Sequence, residues 1–338
     1  MTEDLVSTNR NKEEKPCKSL TATGTSSSDL CQAVGKRELA WAKAHAKPRL
    51  HYERAYREIH GFRKSLPEQH IKNLTDYLSL APYIGFEPGR PLNRPVLRHP
   101  DFQPNNILIS ESKEVTGLID WQHSAILPLG LAARMPHHFQ NYGDAESDKL
   151  LDPQLDLPPD YSTLSESDQV SVREIQRRRL VHYLYATLTR QLNNEHFDAI
   201  FRTPVISLQK LLESAGTPWE GDSVSLQAEI IRFTHLWPML ISEASRRASP
   251  VPPVKYPDTV VEEIFALDEQ QKEAYIDMET MRDMLGVDIQ GWVPNELYEF
   301  TMENVRRVKA ALADNCEDQD DVIALKEHFP FDDFDESG

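Results

Sequence analysis

The sequence predicts a mainly α fold with one small β-hairpin. Apolar residues recur at helical spacing through most of the 338-residue chain, and proline-rich stretches at 153–159 and 250–257 punctuate the helices as connections. Only two adjacent apolar runs, 106–110 and 115–119, read as strands, and they flank the turn Glu111-Ser112-Lys113.

Residues 1–35 are polar, with Thr and Ser runs, mixed charge and almost no apolar periodicity. Such a segment cannot offset its ordering entropy and is expected to be a disordered head. Residues 36–312 are read as the globular unit. Its first helices are predicted at 37–45, 52–66 and 67–78, the last opening on Pro67, where a missing N–H costs nothing. Beyond the hairpin, 171–194 carries Val172, Ile175, Val181, Leu184, Leu188 and Leu192 on one stripe, as an amphipathic core helix would. Further helices are expected at 203–214, 224–245, 259–285 with a break, 295–313 with an Asn cap, and 320–328. Residues 313–338 hold ten acidic side chains against the single Lys326, and so form an acidic tail.

Charge and cysteine usage exclude several function classes. The net charge of −17 argues against nucleic acid, whose phosphates call for clustered Lys and Arg. The one basic run, Arg177-Arg178-Arg179, lies on a predicted helix, where pairing with acids three or four residues away is its commoner role. Cys17, Cys31 and Cys316 are odd in number and far apart, which fits neither a disulfide framework nor a zinc site and implies a reducing compartment. No apolar run approaches the roughly 20 residues of a transmembrane helix. Glu3, Asp4, Glu13 and Glu14 are unlike the acid-poor composition of a transit peptide.

The chemistry concentrates between Leu97 and Trp121. His99-Pro100-Asp101 is followed by Asn106, and an apolar hairpin then leads to Asp120-Trp121. In phosphoryl transfer, a loop of the form H-x-D-x-x-x-x-N holds an aspartate that takes a hydroxyl proton and an asparagine whose carbonyl binds magnesium, with a further aspartate as the second metal ligand. Singly, each residue has a plainer reading: Asp120 caps a strand, and Asn105-Asn106 are turn residues after a proline. The ordered set is far harder to meet by chance. His99 is expected to anchor the loop through its ring nitrogens, and Gln103 stands where such loops commonly carry a cation or histidine. The adjacent pair His137-His138 lacks the i,i+4 spacing of a helical metal site and is read as surface or packing. His123 is read either as lining the cleft or as structural. His182, Tyr183 and Tyr185 are read as packing residues.

These residues resemble the aminoglycoside phosphotransferase family of the protein-kinase-like fold, with its H-G-D-x-x-x-x-N loop and following I-D-W. Segments 97–109, 116–122, 139–144, 219–222 and 291–296 resemble more closely a fungal branch related to the altered-inheritance-of-mitochondria phosphotransferase-like proteins. The resemblance implies a helical C-terminal lobe with its catalytic loop at 97–121, Asp101 as catalytic residue, Asn106 and Asp120 as metal ligands, and His99, Gln103 and Trp121 in support. It also implies ATP and Mg2+ as cofactors, a small hydroxyl-bearing substrate, and a mitochondrial setting, with a cytoplasmic one as the alternative. Upstream of Leu97 there is neither a G-x-G-x-x-G run nor a lysine-bearing strand of the V-A-I-K kind. The N-terminal nucleotide lobe is therefore expected to be missing and this chain by itself inactive toward ATP, with no cofactor of its own. The competing reading is a non-catalytic kinase-like module that binds a protein partner. Fold resemblance alone does not name the phosphate acceptor.

Overall fold

The computed structural model describes residues 26–332 apart from 155, 250, 289, 290 and 317. Most of the predicted head and residues 333–338 of the acidic tail lie outside the described residues. Helices α1 (Ser27–His45) and α2 (Pro67–Leu80) come first. Strands β1 (Pro95–Arg98), β2 (Ile107–Ile109), β3 (Val115–Leu118) and β4 (Ala125–Pro128) follow. The remainder is helical: α3 (Leu129–Ala132), α4 (Ala145–Asp148), α5 (Glu166–Leu192), α6 (Asn194–Phe201), α7 (Thr203–Gly216), α8 (Val224–His235), α9 (Trp237–Leu240), α10 (Glu243–Ala248), α11 (Asp258–Leu285), α12 (Tyr298–Asn315) and α13 (Gln319–His328). Among the described residues no helix is long and apolar enough to cross a membrane.

Helix α1 begins at Ser27, ten residues before the predicted start at Arg37, because Ser26 caps it through Asp29 N and Cys31 is fully buried against the core. Its polar sequence hid a narrow contact face. Residues 52–66 are not the expected helix: they form a 3-10 turn, Arg54–Tyr56, followed by further turns. Gly61 and Phe62 both take left-handed backbone angles (φ 58° and 53°), which no α-helix accommodates. The stretch predicted as one helix over 224–245 is divided among α8, α9 and α10, with Pro238 in the first turn of α9. Conversely, α11 runs unbroken for 28 residues where a break was expected. Asn295 does not cap α12; it starts a 3-10 turn before it.

The main core joins α1, α2, α7 and α8 around Leu74, Tyr77, Leu80, Leu211, Ile230, Phe233 and Trp237. A second cluster under the strands joins Leu129, Ala133, Met135, Ala186, Ala199 and Ile200. Gln209 of α7 ties the two together, its buried amide donating to Gly130 O and Ala133 O at 2.8 Å each. A third, smaller cluster of Leu285, Val305 and Phe329 holds the C-terminal helices. The apolar stripe of α5 does not enter the core: Leu184 and Leu188 are exposed and Leu192 is 83% exposed. α5 packs instead through the side holding His182, Ala186 and Arg179, roughly a third of a turn away from that stripe.

The strands form two antiparallel pairs, β2 with β3 and β1 with β4. The first is the predicted hairpin, with Ile107 opposite Leu118. The second, with Arg98 opposite Ala125, closes a loop of nearly thirty residues and was not predicted. Both of its strands are four residues long and carry a terminal proline, so no local periodicity marks them.

Candidate functional site

The β1–β4 pair is the clamp that positions the site. Between Arg98 and Ala125 the chain runs through His99 and Asp101, makes the 3-10 turn Pro104–Asn106, traverses the β2–β3 hairpin and returns through Asp120 and Trp121. Within this excursion Asn106 is buried, and its side-chain Nδ2 donates to the backbone oxygen of Asp101 at 2.8 Å and to its Oδ2 at 3.0 Å. Gln103 Nε2 donates to the same Oδ2 at 2.6 Å. Two donors thus hold one oxygen of an exposed carboxylate and leave Oδ1 as the acceptor for anything that approaches.

The far end of the hairpin is drawn to the same turn. Ile119 N donates to Asn106 O at 3.0 Å, and Nε2 of the buried His99 lies 2.7 Å from Ile119 O. Because that partner is a carbonyl, Nε2 is the protonated nitrogen. His99 Nδ1 is buried without a hydrogen-bond partner. The Trp121 ring meets His99 edge-on with centroids 4.7 Å apart, and its Nε1 donates to Leu118 O at 3.0 Å. Asp120 therefore sits one residue from a peptide bonded to both Asn106 and His99. It is exposed and takes φ 62°, a left-handed conformation that Asp tolerates better than most residues; His123 has the same angle at the next turn.

Asp101, Asn106 and Asp120 offer a donor set of two carboxylates and one amide oxygen. The amide orientation follows from its bonding: with Nδ2 committed to Asp101, Oδ1 is the atom left to accept. Hard oxygen donors of this kind suit magnesium, which usually keeps several waters and takes few protein ligands. Among the described residues no group of three or more His, Cys, Asp or Glu is arranged to hold a metal, so a cation here would rely on these few oxygens and water.

Beside the loop lies a cleft of about 710 Å3. One wall is Asp101, Phe102 and Gln103, and the opposite one comes from residues 131–140, including Met135, His137 and His138. His123 joins its lining, the first of the two roles its position allowed. Arg98 and Arg134 also line it and were not singled out from the sequence. Arg98 adjoins the motif, but only the chain's return through α3 gives its side chain a cleft to line. Neither Asn106 nor Asp120 lines this cleft.

Three other expected features have definite places. His182 is buried and its Nδ1 accepts from Asn141 N at 3.1 Å, while Tyr185 stacks on Phe139 at 5.1 Å. Arg177 and Arg178 pair with Glu174, whose carboxyl they pull down to about 2, and Arg179 bridges Asp144 and Glu146. The basic run is thus consumed within and beside its own helix.

Residues 33–130 match the phosphotransferase enzyme family. The chain is 26% identical over 298 residues to a subtelomeric hrmA-associated cluster protein of Aspergillus fumigatus, an overlap of 88% of this chain and 56% of that protein. It is 22% identical over 264 residues to altered inheritance of mitochondria protein 9, mitochondrial, of Zygosaccharomyces rouxii, covering 75% of this chain and 40% of that protein. With the protein of the same name in Vanderwaltozyma polyspora it shares 24% identity over 206 residues, 61% of this chain and 30% of the relative. The chain spans at most 56% of the length of these curated relatives. No solved structure matches it. The helical fold, the two strand pairs and the loop from His99 to Trp121 all accord with the match of residues 33–130 to the phosphotransferase enzyme family and with the similarity to these fungal proteins.

Proposed function

We propose that this chain is the helical lobe of a kinase-like phosphotransferase that acts on a hydroxyl group. One observation carries the reading: the side chain of Asn106 is bonded to both the backbone and the carboxylate of Asp101, while the backbone carbonyl of Asn106 receives Ile119 N next to Asp120. That network ties the Asp101–Asn106 turn to the residue before Asp120, which supports reading the three as the oxygen-bearing groups that phosphoryl transfer employs.

In this reading Asp101 Oδ1 accepts the proton of the substrate hydroxyl, and Gln103 and Asn106 keep the carboxylate oriented through Oδ2. Asn106 Oδ1 and the Asp120 carboxylate would hold magnesium. Magnesium-ATP, when bound, supplies the transferable phosphoryl group, with the metal spreading its charge. His99 and Trp121 fix the peptide that carries Asp120.

The nucleotide's base and its remaining phosphate contacts belong to a second lobe, for which the described residues offer no Gly-rich phosphate loop. Support comes from the strand pairs: cross-strand partners Leu97 and Ile126 are 59% and 70% exposed, and Ile109 and Val115 64% and 66%. Apolar side chains left open on both ribbons beside the loop are a fitting seat for another sheet. The relatives from Zygosaccharomyces rouxii and Vanderwaltozyma polyspora are named as mitochondrial proteins, and we carry that compartment over to this chain.

The test is calorimetry with magnesium-ATP together with a phosphotransfer assay. This chain alone should show no micromolar affinity. Supplied with a nucleotide-binding lobe, it should turn over ATP and lose at least about 100-fold in rate on Asp101→Asn, the scale of a lost general base. Unchanged turnover in that variant would refute the assignment.

A further inference from the structure

The cleft beside Asp101 contains a cation without a counter-ion. The Arg98 guanidinium donates through Nη1 to Ala132 O and through Nη2 to Arg134 O, both of them neutral carbonyls. Among the described residues no carboxylate lies within ion-pair distance of it. Burial works against its charged form; Tyr185 and Tyr142 favour that form, and the neighbouring charge of Arg134 opposes it. A guanidinium has five N–H donors in a planar fork, so two carbonyls leave most of that fork unused. Charges withdrawn from water are ordinarily paired, because an uncompensated one is costly to keep.

The lining around it is rich in nitrogen donors. Arg134, which pairs with Glu213 at 3.2 Å, lines the cleft, as do the exposed His123, His137 and His138. The sole carboxylate in the lining is Asp101 itself. A polycationic acceptor would bring ammonium groups against Arg98 and Arg134 with one acid to receive them.

We infer that the acceptor is a small hydroxylated anion, its carboxylate or phosphate group held by Arg98 and flanked by His137 and His138, with its hydroxyl reaching Asp101. The inference rests on the phosphotransferase reading for the hydroxyl's role, while the anion site is measurable without nucleotide. Arginine's fork matches both carboxylate and phosphate, so either source of the anion satisfies it.

Calorimetry on the full chain at low ionic strength, without ATP, decides the matter. The probes are gluconate, glycerol 3-phosphate, inorganic phosphate and the polycation kanamycin. Saturable one-to-one binding of gluconate or glycerol 3-phosphate is expected, and no binding of kanamycin. Gluconate alone would identify a carboxylate site; glycerol 3-phosphate displaced by inorganic phosphate would identify a phosphate site. Arg98→Gln should weaken anion binding at least tenfold, and His137→Gln with His138→Gln severalfold.

Because Arg98 also bonds two backbone carbonyls, circular dichroism must show that its variant folds. If it does not, protection of Arg98 from phenylglyoxal by the bound anion replaces it, together with the exposed histidine pair. Kanamycin binding more tightly than either anion would overturn the inference, as would anion binding unaffected by both sets of variants. So would unprotected Arg98 in the presence of saturating anion. Phosphotransfer to a neutral or cationic hydroxyl would sink the inference and leave the phosphotransferase reading standing. Anion binding at Arg98 in a protein whose phosphotransfer is indifferent to Asp101→Asn would do the reverse.

Discussion

Asn106 holds Asp101 twice, through the peptide oxygen at 2.8 Å and the carboxylate at 3.0 Å. Since Asn106 is buried, removing its amide takes away both of these bonds and leaves Gln103 as the one side chain bonded to the Asp101 carboxylate. Asn106→Ala should lower unfolding stability by about 1–3 kcal/mol, the scale of a lost hydrogen bond to a charged group. Urea titration measures this. A variant as stable as the parent would show that Asp101 is positioned by other means.

Gly221 packs its backbone against residues 50 and 51. It takes φ 87°, and a Cβ there would lie 2.8 Å from Leu50 O, while the neighbouring Glu220 O receives Tyr52 N. Gly221→Ala should therefore cost about 1–3 kcal/mol through backbone strain and displacement of that contact. Thermal unfolding checks it, and a change within experimental error would mean that the 50–52 segment yields freely.

His51 gives the fold an acid-sensitive point. Its Nε2 is buried without a partner, the ring stacks against His60 at 6.0 Å, and burial lowers its pKa to about 4. The unfolded chain binds a proton near pH 6.5, whereas the folded one resists it until about 4. Stability from this residue is thus complete above about 6.5 and declines as pH falls toward 4, by up to about 3 kcal/mol. His70 and His182, lowered by burial as well, act in the same direction. Stability measured from pH 7.5 to 4.5 should fall, and His51→Gln should flatten the decline. An unaltered slope in that variant would exclude His51 as its cause.

Asp144 couples two elements at once. It caps α4 through Glu146 N and Ser147 N and pairs with Arg179 of α5 at 2.6 Å. The Arg179 guanidinium is the main reason its carboxyl titrates at about 2 rather than 3.8. The associated stability is present above about pH 4 and is lost as pH falls toward 2. Asp144→Ala should cost about 1–2 kcal/mol at neutral pH, and Asp144→Asn less because the cap survives. Equal losses in the two variants would assign the whole effect to the ion pair.

How much of this was legible differs from element to element. The hairpin at 107–118 announced itself, because alternation around a polar turn is a local signal. So did Pro67 at the head of α2 and the spacing of Asp101, Asn106 and Asp120. The α5 stripe misled: its periodicity is real, yet the helix packs through a different face. Residues 52–66 misled in another way, for helical spacing there is overruled by two consecutive left-handed residues.

The sequence by itself determined the helical class, the hairpin and the order of chemical groups along the loop, because each depends on neighbours within a few residues. Only the tertiary structure decided what those groups touch. The β1–β4 clamp unites residues about thirty positions apart, Asn106 selects which oxygen of Asp101 stays open, and the turn through α3 sets Arg98 in a cleft whose one lining carboxylate is Asp101. Long-range pairing and the burial of charge are properties of packing, in which distant segments compete for the same partners, and no local pattern records that outcome.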